Sequence, residues 1–149
     1  MDPLIPTLNE LVETCRDGHA GYQLAAHGIK DMKIKKVLGK IALERKQFED
    51  ALRGEIERRG VLPHSHGTVA GALHRGWIQM KELGRAAPTA ILEECGRGEA
   101  ASIRVYKDAL GKELPPEVRQ TVALQLDRIT AARDEVLELR RSTVDASKP

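Results

Sequence analysis

The stretch from Ala90 to Leu110, AILEECGRGEAASIRVYKDAL, decides the fold. Its apolar residues Leu92, Cys95, Ile103, Tyr106 and Leu110 recur at helical spacing and define one face. Glu99 falls in the middle of that face, with Cys95 and Ile103 above and below it. A carboxylate aimed into a helical core costs free energy unless a cation or hydrogen-bond donors meet it. The side chain that meets Glu99 therefore governs what this helix can do.

Working outward, the same period appears three more times. Thr7 followed by Glu10 has the form of a capping box, and Leu8, Leu11, Val12, Cys15, His19, Tyr22, Ala26 and Ile29 make an inward stripe that ends near Gly28. Asp31 caps a second helix to about Arg59, with Ile34, Val37, Leu38, Ile41, Phe48, Leu52 and Ile56 facing in and Gly60 and Pro63 stopping it. Pro88-Thr89 opens the quoted helix and Gly111 ends it. Pro115-Pro116 then starts a fourth, in which Val118, Val122, Leu126, Ile129, Ala132 and Val136 face inward. Between the pairs, Val69, Leu73, Trp77, Met80 and Leu83 predict a short amphipathic helix over 68–83. No strand-like alternation occurs. The pattern predicts an all-α, ferritin-like four-helix bundle with a short extra helix in the long crossover between helices two and three. An up-down-up-down bundle is the alternative topology. Residues 1–141 form a single domain in this reading, and 142–149 a disordered tail.

Composition narrows the classes of function. The 24 basic and 22 acidic residues leave a formal charge of +2 and are interspersed, which offers no electrostatic footprint for nucleic acid. The lysines at 33, 35, 36 and 40 read as a solvated outer face. No apolar run is long enough to span a membrane, and MDPLIPTLNEL lacks the form of a secretory signal. Cys15 and Cys95 fall on apolar faces and read as reduced thiols of a cytoplasmic protein. Neither has an adjacent base or CxxC spacing, so nucleophilic or redox catalysis has no support.

The sequence resembles a bacterial family of uncharacterised ferritin-like four-helix bundles, a domain of unknown function. The resemblance rests on Leu8 to Thr14 with Asp17-Gly18 and Gly21-Tyr22, on Gly67 to Trp77 (GTVAGALHRGW), and on Ile91 to Cys95 leading into Gly98-Glu99. It implies a fold and no established activity, substrate or cofactor. Two positions depart from the family pattern: His27 stands where an acid is expected, and Arg133 where a histidine is expected.

Di-iron bundles need a Glu from each of two helices and a Glu-x-x-His from each of the other two. No Glu in this chain has a His three residues later; Glu44 to Gln47 is the nearest imitation and lies off the apolar stripe. The inward polar residues are instead His19, Arg45, Glu99, Gln125 and Arg133, with Glu49 beside them. They predict a buried polar layer in which Arg45 or Arg133 binds Glu99 bidentately. Alternatives are a mononuclear metal site of His19, Glu49 and Glu99, or an anion pocket between Arg45 and Arg133. His64 and His66 form a loop pair that a metal could bridge, although a solvated loop is the simpler reading. His74, Arg75 and Trp77 form a candidate partner surface, with local anchoring of the crossover as the simpler reading. The function expected is that of a non-catalytic structural or interaction protein without a cofactor. Its partner would be a second copy or another protein, not a nucleic acid or a membrane.

Overall fold

The computed structural model describes residues 2–63, 77, 80 and 87–146. All of the described secondary structure is helical: α1 (Leu4–Gly28), α2 (Met32–Glu57), α3 (Pro88–Leu110) and α4 (Pro116–Ala146). The short helix expected over 68–83 falls almost wholly outside the described residues.

Helix boundaries follow local chemistry. α1 begins before Thr7: Pro3 precedes it, the Asp2 carboxylate accepts from the Leu4 N–H at 2.9 Å, and Thr7 is buried inside the helix. Pro6 is tolerated because N–H groups of the first turn have no intrahelical acceptor. Asp31 caps α2 as expected, accepting from Lys33 N and Ile34 N. Gly60, at φ +75°, turns the chain after that helix. α4 runs on to Ala146, so residues 142–146 of the expected disordered tail are helical.

Contacts between helices set the topology. Arg16 meets Glu49 and His19 meets Ala42, so α1 and α2 are antiparallel. Cys15 meets Tyr106, while Gly21 and Gly98 lie against the same Trp77 ring, so α1 and α3 are antiparallel too. Tyr106 with Gln125 and Glu93 with Arg140 set α4 antiparallel to α3; Glu44 with Arg128 and Phe48 with Gln125 set it antiparallel to α2. The bundle is therefore up-down-down-up. α1 packs on α2 and α3, α4 packs on α3 and more thinly on α2, and the two diagonal pairs have no backbone contact. Because α2 and α3 run the same way, the connection over 58–87 must traverse the length of the bundle, about 39 Å for a 26-residue helix.

Two apolar clusters fill the ends. One gathers Tyr22, Ile29, Leu38, Ile41, Trp77, Met80, Ile91, Leu92 and Val136. The other gathers Leu8, Leu11, Cys15, Leu52, Ile56, Tyr106, Val118, Val122 and Ile129. Each fully buried Leu or Ile contributes about 1.5–3 kcal/mol of burial free energy. In α2 the break between the clusters falls at Arg45, and in α3 at Glu99.

Candidate functional site: a buried ion pair at the centre of the bundle

Arg45 and Glu99 occupy regular positions on their helices' inward stripes, Ile34-Leu38-Ile41-Arg45-Leu52 and Leu92-Cys95-Glu99-Ser102-Tyr106. Both side chains are 0% exposed, and Arg45 Nη2 donates to Glu99 Oε2. The contact is a single bond rather than the bidentate fork expected. Nε and Nη1 of Arg45 and Oε1 of Glu99 are buried without a hydrogen bond among the described residues. Burial disfavours the Arg45 charge, but the Glu99 carboxylate more than offsets this and holds the guanidinium above its ordinary pKa.

Room for the arginine comes from α1. The stripe of α1 places Gly18 at this level, and a Cβ there would lie 2.8 Å from Arg45 Nη1. The guanidinium carbon also stands 5.6 Å from the centre of the Tyr22 ring, within cation–π range. Tyr22 packs edge-on against Trp77, with ring centres 4.9 Å apart. Trp77 is itself fully buried between Gly21 and Gly98; a Cβ on either would come within 2.3 Å of its ring. This corrects the expectation that Trp77 belongs to a partner surface. The indole fills a slot between α1 and α3 that only two glycines leave open. His74 and Arg75, the rest of that expected surface, lie outside the described residues, as do His64 and His66.

One turn away, a second polar chain crosses the core. The Cys15 thiol and the Tyr106 hydroxyl are 2.9 Å apart, Tyr106 donates to Gln125 Oε1 at 2.7 Å, and Gln125 Nε2 donates to the Phe48 carbonyl at 3.4 Å. Burial pushes the Cys15 thiol up to about 12 and raises Cys95, Tyr22 and Tyr106 well above their usual ranges. All four stay protonated near neutrality, so neither cysteine is a ready nucleophile. The sequence could not reveal the Cys15–Tyr106 contact, because the two residues are distant in the chain and look apolar in pattern.

The other residues expected in the layer are held elsewhere. His19 is half-buried on the α1–α2 seam, its Nδ1 2.8 Å from the Ala42 carbonyl. Arg133 is half-buried and makes no hydrogen bond to Glu99. Gln125 serves Tyr106 rather than the ion pair. Glu49 is buried but bound by Arg16 at 3.0 Å, with Lys46 and Arg53 each at 3.7 Å. His19, Glu49 and Glu99 thus face three different partners and do not fit a common metal ion. Among the described residues no three His, Cys, Asp or Glu side chains are placed to hold one.

These features define a class: an all-helical, up-down-down-up bundle closed around a diagonal ion pair. The chain belongs to the family described as Domain of unknown function (DUF2383), whose model matches residues 4–112. That span takes in α1, α2 and α3, and so both Arg45 and Glu99, while α4 with Gln125 and Arg133 lies beyond it. The comparison with curated proteins finds no match.

Proposed function

We propose that this chain is a ferritin-like bundle in which an ion pair stands in place of a di-iron centre, and that it works as a structural or interaction protein through its outer helix faces. The observation that carries the reading is the Arg45–Glu99 pair itself. A guanidinium cannot be deprotonated, so it repels a divalent ion from the Glu99 carboxylate at the middle of the core. The ferritin-like assignment is supported by the up-down-down-up course of the chain, which needs a full-length crossover. The short crossover helix belongs to the same proposal, supported by the helical spacing of Val69, Leu73, Trp77, Met80 and Leu83.

A cytoplasmic setting suits the two unpaired buried thiols. Among the described residues no helix is long and apolar enough to cross a membrane.

The test is elemental analysis of protein purified without a polyhistidine tag and dialysed. The expected result is iron, manganese and zinc all well below one equivalent. Stoichiometric retention of any of them, lost in Glu99→Gln, would overturn the proposal.

A further inference from the structure

Lysines crowd the half of α2 nearest the α1–α2 turn. Lys30, Lys33, Lys35, Lys36 and Lys40 fall within eleven residues, and Asp31 is the single acid before Glu44. Asp31 is engaged as the N-cap of α2, and Glu44 is bound by Arg128. All five lysines except Lys35 are exposed, and none is ion-paired among the described residues. Eight arginines, Arg16, Arg53, Arg58, Arg59, Arg97, Arg128, Arg140 and Arg141, each have a carboxylate within 4 Å, whereas the exposed Arg104 and Arg119 have none among the described residues. A formal charge of +2 thus conceals a run of closely spaced lysines with no ion pair among the described residues.

Spacing lines this block up. Lys33, Lys36 and Lys40 stand at i, i+3 and i+7, along about 10 Å of one outward face. Met32 and Leu43, 66% and 58% exposed, lie along the same side. Against the sequence expectation of a solvated face and no membrane partner, we infer that this face of α2 docks on an anionic lipid surface. A straight helix side can lie flat along a bilayer, with ammonium groups at the phosphates and the two apolar side chains at the headgroup boundary. Nucleic acid is a poorer match, because the stripe holds no arginine to grip phosphate with two bonds and no aromatic ring for a base to stack on. Each lysine near such a surface raises partitioning about fivefold. The inference rests on the proposed function in treating the outer faces as the working part, but vesicle binding can fail while the metal analysis stands, and the reverse.

The experiment is co-sedimentation of the full chain with vesicles of phosphatidylcholine alone or mixed with phosphatidylglycerol. Binding is expected only to the mixed vesicles, with loss at high salt. Neutralising the stripe in K33Q/K36Q/K40Q should weaken it roughly a hundredfold, and M32S/L43S should weaken it further at fixed charge. R104Q/K107Q/K112Q removes equal charge from exposed positions on and just after α3 and should bind as the parent does. Thermal melts establish that each variant is folded. No binding to mixed vesicles, equal loss in both triple variants, or tighter lysine-dependent retention of duplex DNA, RNA or inorganic phosphate would each overturn the inference.

Discussion

Arg45 and Glu99 meet across the diagonal of the bundle, on two helices whose backbones do not otherwise touch. A long side chain from α2 passes Gly18 of α1 to reach a carboxylate on α3, so one contact ties three helices to a common level. An ion pair in this position adds little net stability but penalises any sliding of one helix pair against the other.

Removing one partner should therefore cost far more than removing both. Glu99→Leu strands a buried guanidinium and is expected to lose about 3–5 kcal/mol of unfolding free energy. The double variant Arg45→Met, Glu99→Leu should recover most of that loss. Urea titration of the parent, both single variants and the double variant measures the coupling directly.

The Trp77 slot gives a second expectation. Gly21→Ala or Gly98→Ala places a methyl group within 2.3 Å of the indole. Overpacking of this kind typically costs about 1–3 kcal/mol. Trp77 is the chain's single tryptophan, so its emission reports the event. A red shift is expected in either variant, and an unchanged spectrum with an unchanged melt would show that the slot has room to spare.

Tyr106→Phe removes the hydroxyl that links Cys15 to Gln125. The Gln125 carbonyl oxygen then loses its donor inside the core, at a cost of about 1–3 kcal/mol. Chemical denaturation checks the size of the loss. Pairing the change with Gln125→Leu should return part of it, since the stranded acceptor is then gone.

Stability should also fall in alkali. The unfolded chain releases the Cys15 proton near 9.0, the folded chain only at about 12. Between those values the unfolded state binds fewer protons, so unfolding becomes easier as pH rises, and the contribution is whole only below 9. Burial moves Cys95, Tyr22 and Tyr106 in the same direction. Glu55 acts oppositely: burial would raise it, but its hydrogen bonds to Arg59 and Arg58 prevail and lower it below 4.5. Its stabilisation is present above that value and fades as pH drops through the folded one. Melting temperatures scanned across pH should be flat near neutrality and fall steadily above 9, with a shallower alkaline limb in Cys15→Ala.

The helices and their faces are legible in the chain because burial imposes a 3.6-residue period whatever the neighbours are. Arg45 and Glu99 are conspicuous for the same reason, being charges at positions the period assigns to the core. His19 and Arg133 fit that period nearly as well, yet each stands at a seam. A stripe is broader than the strip of it that reaches the centre, and packing alone selects the strip. Trp77 shows the converse: no spacing in the chain links it to Gly21 and Gly98, yet an indole from the crossover fills the space between them.

By itself, then, the sequence determined four helices, the Asp31 cap of α2 and a Glu99 charge that must be met inside, since these follow from local spacing and the cost of burying an ion. Which charges meet, which way α3 runs and what fills the gap between α1 and α3 were decided by tertiary structure. Those outcomes depend on distances between segments remote in the chain, and only close packing fixes such distances.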